Sequence, residues 1–122
     1  MDLDRAVRKI LDVGGERVLF ILLYGSVARG ENRRDGDVDL AVYYEGDQKE
    51  RFEFRKRILG ELPDKYDVHT IQDMPLYVAY NALKEGRVIY ARDRGRAMRE
   101  LLRLSREAED FMHRLVVVTS EA

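Results

Sequence analysis

The feature that most restricts this chain is an uninterrupted apolar run, Val18-Leu19-Phe20-Ile21-Leu22-Leu23-Tyr24, cut off by Gly25-Ser26. The run is too short for a buried helix and shows no alternation, so it predicts a strand covered on both faces. Together with the helices and strands that follow, such a strand points to an α/β or α+β domain.

The remaining elements fit that demand. Leu3, Val7, Ile10 and Leu11 recur at helical spacing behind Asp2, a suitable N-cap, and Gly14-Gly15 act as a stop. From Asp37 to Tyr43 the chain alternates, with Asp37, Asp39 and Ala41 against Val38, Leu40 and Val42, as a half-buried strand does. A charged helix is expected from about Gln48 to Leu62, packing through Phe52, Ile58, Leu59 and Leu62 and ended by Pro63-Asp64. Tyr66 to Ile71 reads as a third strand. Asp73 is placed to cap a helix with Pro75 in its first turn, Leu76, Ala79, Tyr80 and Leu83 inward and Gly86 at its C-terminus. A short strand, Val88 to Tyr90, precedes a long helix from about Gly95 to Leu115, with Met98, Leu101, Leu102, Ala108, Phe111, Met112 and Leu115 on or near one face. The expected architecture is a mixed sheet of about four strands flanked by helices, with a long C-terminal helix.

At 122 residues this is one domain, residues 1 to 122, with no repeat and no linker. No apolar stretch approaches the ~18 residues that cross a bilayer. The charged N-terminus leads into a helix and is not a signal peptide, so a cytoplasmic, non-membrane protein is expected. The absence of cysteine excludes disulfides, zinc-thiolate sites and thiol nucleophiles, leaving any metal to oxygen ligands or to the two histidines. A net charge of −1 at 37% charged residues describes interspersed signs and argues against a generally basic nucleic-acid binder. The arginines at 92, 94, 96, 99, 103 and 106 alternate with Asp93, Glu100, Glu107, Glu109 and Asp110, as on a solvated helix laced with ion pairs. Direct nucleic-acid binding is not expected.

Chemistry concentrates between Tyr24 and Leu40. A buried strand that stops at Gly-Ser and restarts as a helical turn exposes consecutive backbone N–H groups, a cradle for phosphate. Gly25 permits close approach and the Ser26 hydroxyl can donate to a phosphate oxygen; Ser26 as a plain helix cap is compatible with that role. Asp37 and Asp39, two apart on a strand, project from one face. Two carboxylates about 4 Å apart repel by roughly 4 kcal/mol at an effective dielectric near 20, a cost that a divalent cation removes. The bland alternative is a turn at Asp35-Gly36 followed by two solvated acids. A third carboxylate on a neighbouring strand would allow two cations to clamp an in-line displacement, and Asp67 is the candidate. His69 shares its strand parity but is read as packed on the sheet; His113 is read as structural or exposed. Neither is offered as a ligand.

Gly25-Ser26, Ala28-Arg29-Gly30 and Asp37-Val38-Asp39-Leu40 resemble the signature of the polymerase-beta-like nucleotidyltransferase superfamily, in which Gly-Ser is followed by Asp-x-Asp and, on a later strand, a third acid. Within it the chain looks like the minimal nucleotidyltransferases, the antitoxin half of HEPN–MNT toxin–antitoxin pairs. The similarity runs from about Val18 through Tyr90. Gly36 departs from the pattern, standing where the family commonly has serine, which removes one hydrogen bond of about 1 kcal/mol. The resemblance implies the nucleotidyltransferase fold and transfer of AMP from ATP to a hydroxyl, a tyrosine of the partner HEPN toxin. It implies two Mg2+ ions, or Mn2+, held by Asp37, Asp39 and Asp67, with Asp67 also drawing the proton from the attacking hydroxyl. Gly25, Ser26 and Arg29 would hold the nucleotide, Arg29 being otherwise a surface arginine. No further helical domain is expected to bring an acceptor, which favours a protein substrate. The apolar stripe of the last helix and Val116-Val117-Val118 leave room for an interface with that partner or with a second copy. Two other readings stay open: an antitoxin that neutralises by binding alone, and a nucleotide sensor without transfer.

Overall fold

The computed structural model describes residues 1–25 and 37–121, with the side chains of 116–121 excepted. Among them are four α-helices, α1 (Leu3–Gly14), α2 (Gln48–Leu59), α3 (Leu76–Glu85) and α4 (Arg94–Glu121), and four strands, β1 (Val18–Tyr24), β2 (Val38–Tyr44), β3 (Tyr66–Thr70) and β4 (Arg87–Ala91). The sheet order is β3-β2-β1-β4. Strand β1 pairs antiparallel with β2 and β4, while β2 and β3 run parallel, so the sheet is mixed as expected.

The seven-residue apolar run is the central strand. Val18, Ile21 and Leu23 face one core, closed by Ala6 and Ile10 of α1 and Phe54 and Ile58 of α2. Leu19, Phe20 and Leu22 face a second core with Ala79 and Ala82 of α3 and Ala97 of α4. Helices therefore cover both faces. That corrects the expectation of a half-buried β2: Leu40, Ala41 and Val42 are all buried, because Ala41, the small residue on the otherwise polar side, lies under the α3–α4 layer.

Each helix start has an identifiable cause. Asp2 accepts the Arg5 N–H at 2.9 Å, and Gly15 ends α1 at φ 58°. Asp47 and Glu50 form a reciprocal capping box at the start of α2. The inward face of α2 is phased differently from expectation: Phe54, stacked on Tyr44 at 4.3 Å, and Ile58 are buried, whereas Phe52 is 61% exposed and Leu59 is also exposed. Phe54 and Ile58 are one helical turn apart and enter the same core. The helix ends at Leu59, and Leu62 is buried just beyond it.

Asp73 does not cap α3. Its carboxylate receives a two-pronged hydrogen bond from Arg51, 2.9 Å at each oxygen, and another from the Thr70 hydroxyl at 2.5 Å. It thereby ties the end of β3 to α2, and α3 begins three residues later behind Pro75. Ala79 and Ala82 carry the α3 packing, with Leu83 partly buried and Leu76 exposed. Helix α4 is 28 residues long, about 42 Å at 1.5 Å per residue, and continues through Val116-Val117-Val118. Among its described side chains Ala97 and Ala108 are buried, while Met98, Leu102 and Leu115 of the anticipated stripe are exposed. No helix among the described residues is long and apolar enough to cross a membrane.

Two stability measurements follow. Ile58→Ala opens a hole in the α1–α2 core and is expected to cost about 2–5 kcal/mol in denaturant unfolding, whereas Phe52→Ala should stay within about 0.5 kcal/mol of the parent. The second concerns pH. Arg51's hydrogen bonds, assisted by Thr70 and opposed by partial burial, hold the Asp73 carboxyl below the usual carboxylate range. A carboxyl depressed in the fold stabilises above its unfolded value, about 3.9, and that gain vanishes as pH falls through the lower folded value. Asp73→Asn is therefore expected to be less stable than the parent at neutral pH, with the gap closing below about pH 4.

Candidate active site

The site is assembled by strand register at one end of the sheet. Tyr24, the last residue of β1, lies opposite Asp39 of β2, and Asp39 lies opposite Asp67 of β3. Residues in register on adjacent strands share a face, so the three side chains form a row across the sheet. Val38, Leu40 and Val68 point the other way, into the α1–α2 core or against it. The hydrogen bond from the Val38 N–H to the Lys65 carbonyl, 2.7 Å, carries the parallel pairing to the mouth of the site.

Gly25 closes the row. Its backbone is left-handed, φ 77°, and a Cβ built there would stand 2.2 Å from Oδ2 of Asp39. Any side chain at this position would displace that carboxylate, so glycine is required on both conformational and steric grounds. The chain reversal after the apolar run thus sets the backbone directly against an acid.

Asp37 sits one residue before β2 and is exposed. Asp39 and Asp67 are brought together by register, whereas Asp37 lies outside the strand. Among the described residues no three acidic or histidine side chains are close enough to enclose a metal ion by themselves. The donor set is nevertheless oxygen, which suits Mg2+ or Mn2+, and Mg2+ characteristically takes one or two carboxylates and completes its octahedron with water and substrate phosphate. An adjacent carboxylate pair fits such a cation better than it would fit a closed protein cage. Ser26 and Arg29, the remaining nucleotide-binding candidates, lie outside the described residues.

Three neighbours of the acids were not assigned to the site from sequence. The Tyr24 hydroxyl is pushed well above the ordinary phenol range, first by burial and then by the charges of Asp39 and Asp67, with Arg55 opposing. Its only sequence signal is its place immediately before Gly25. Arg55 of α2 donates to the Val68 carbonyl at 2.9 Å, covering an outward backbone group of the edge strand β3; nothing in a charged helix marks that residue beforehand. His69 places Nε2 at 3.0 Å from Oδ1 of Asp67, where packing on the sheet was expected. The two-residue spacing of Asp67 and His69 was the available signal.

Comparison with known proteins identifies the family. The family model described as polymerase beta, nucleotidyltransferase matches residues 7–95. A protein of Methanocaldococcus jannaschii, provisionally named a protein adenylyltransferase, is 34% identical over 74 residues, which are 61% of this chain and 57% of that protein. The chain thus spans little more than half the length of this curated relative. Among solved structures, a chain of a toxin–antitoxin crystallised with AMP-PNP superposes at a TM-score of 0.68 with 16% identity, over 99% of this chain and 100% of that one. A chain of the tri-AMPylated Shewanella oneidensis HEPN toxin in complex with its MNT antitoxin gives 0.59 with 14% identity, over 98% and 96%. At such identities the likeness is one of fold. With the family model covering most of the sequence and both acids in register beside Gly25, the chain belongs to the polymerase beta nucleotidyltransferase family.

Proposed function

We propose that this protein is a Mg2+-dependent adenylyltransferase of the cytoplasm that moves AMP from ATP to a hydroxyl, a tyrosine of a partner HEPN toxin, and thereby acts as its antitoxin. The observation that carries the reading is the Gly25–Asp39–Asp67 arrangement: two carboxylates in register at a sheet end, one of them against a glycine that admits close approach. The name of the M. jannaschii relative and the nucleotide-containing toxin–antitoxin complexes of like fold support the choice of AMP and of a protein acceptor.

In the reaction the acceptor oxygen attacks the α-phosphorus of ATP, its new P–O bond forms as the α,β-bridging P–O bond breaks, and pyrophosphate leaves. Asp37, Asp39 and Asp67 would hold the cations, and Asp67 would also take the hydroxyl proton. Bound Mg2+, one ion or two, supplies neutralisation of the charge that develops on the transferring group. Gly25 and Ser26 present backbone and hydroxyl donors to the phosphates, and Arg29 adds a positive charge there. The protein's task is positioning, as is general for phosphoryl transfer. The exposed Met98 and Leu102 on α4 offer an apolar surface for the partner or a second copy.

Intact-mass measurement of the toxin after incubation with this protein, ATP and Mg2+ tests the reading: added AMP is expected, and an unmodified but inhibited toxin would establish neutralisation by binding alone. Asp39→Asn and Asp67→Asn are each expected to lower transfer by at least on the order of 100-fold, the upper range for disturbing merely the outer partners of a metal site. Neither should lower the melting temperature, since each relieves a repulsion. Gly25→Ala is expected to weaken Mg·ATP binding in calorimetry by about tenfold or more. Gly15→Ala imposes a comparable backbone penalty at φ 58° with open space around it, so it should cost about 1 kcal/mol of stability while leaving nucleotide affinity unchanged.

A further inference from the structure

Asp67 has one described side chain paired with it, His69, two residues along the same strand and on the same face. An ionised carboxylate can only accept hydrogen bonds, so a nitrogen 3.0 Å from its oxygen is attracted only when that nitrogen carries a proton. Nε2 is thus the ring nitrogen that faces Asp67. It engages Oδ1 and leaves Oδ2 to other partners.

The surroundings hold this pair in place. His69 stands opposite Ala41, which is small and fully buried. The backbone between the two residues is fixed from both sides: Val68 pairs with Leu40 of β2, and its carbonyl receives the Arg55 guanidinium at 2.9 Å. Asp67 itself is about half exposed, with 47% of its side chain accessible. A half-exposed carboxylate on an edge strand would otherwise rotate freely, and ordering it would be charged to the binding of the cation.

We propose that His69 is a positioning residue of the nucleotidyl-transfer site, one that holds the Asp67 carboxylate in the orientation used to bind a divalent cation. The inference rests on the adenylyltransferase reading above. Outer partners of metal-binding groups act in this way, fixing the orientation of a ligand they touch, and their loss typically costs 10–100-fold in metal affinity or activity.

The test is a Mn2+ titration of the full chain with saturating ATP and no acceptor protein, followed by the electron paramagnetic resonance of free Mn2+. The parent is expected to bind Mn2+, and His69→Ala to bind it about 10–100-fold more weakly at an unchanged melting temperature. His69→Gln, whose amide N–H can reach the same oxygen, should recover most of the affinity. In Asp67→Asn the further change His69→Ala should add little, because its route of action is already gone. Equal affinity of the parent and His69→Ala, or additive losses in the double variant, would overturn the role of His69 and leave the adenylyltransferase reading standing. An imidazole nitrogen coupling on bound Mn2+ would also overturn it, making His69 a ligand in its own right. A parent that binds no Mn2+ with ATP would instead sink the parent reading and this inference together. Should His69→Ala unfold, the comparison of His69→Gln with Asp67→Asn and their double variant decides the same question.

Discussion

The parallel register between β2 and β3 is the constraint on which the site depends. Asp39 and Asp67 are far apart in sequence and become neighbours only because Val38 pairs with Tyr66 and every following pair keeps that alignment. A slip of one residue would turn Asp67 and His69 toward the α1–α2 core and bring Val68 out beside Asp39. Such a slip is prevented by packing, since it would bury two polar side chains and expose a valine that is fully buried. Hydrophobic burial on the far face thus sets the geometry of the polar face.

The cost of holding the acids together is borne locally. Asp39 is pressed toward a glycine in a left-handed conformation, and Tyr24, half-buried beside both acids, is kept as a neutral phenol by their charge and by burial. Arg55 contributes the opposing positive charge at a distance and secures the edge strand through the Val68 carbonyl. Further back, Arg51, Thr70 and Asp73 lock the end of β3 to α2. Asp67 is therefore mounted on a strand fastened along its edge and at its far end, beside the strand that carries Asp39.

Much of this was legible in order along the chain. The run from Val18 to Tyr24 announced a doubly covered central strand, and it is one. Asp2 as a cap, Gly15 as a stop and four strands in a mixed sheet were readable for the same reason, because each rests on local backbone chemistry. Where the reading failed, the cause was tertiary. Phe52 and Phe54 are equally apolar, and it is packing in the core, against the ring of Tyr44 among others, that takes Phe54 inward. Asp73 looked like a helix cap because local pattern shows no sign of Arg51, which reaches it from another helix. The alternation in β2 was real, but helices on both faces bury its middle regardless.

The sequence by itself carried the resemblance to the family and the strand-end position of Gly25, because a motif and a chain reversal are written in neighbouring residues. It could not say that His69 would stand against Asp67, that Tyr24 would complete the row, or that Asp37 would lie beyond the strand end rather than in it. Those are matters of register, rotamer and strand length. They are decided when separate segments compete for the same core, a contest in which no local spacing records the outcome.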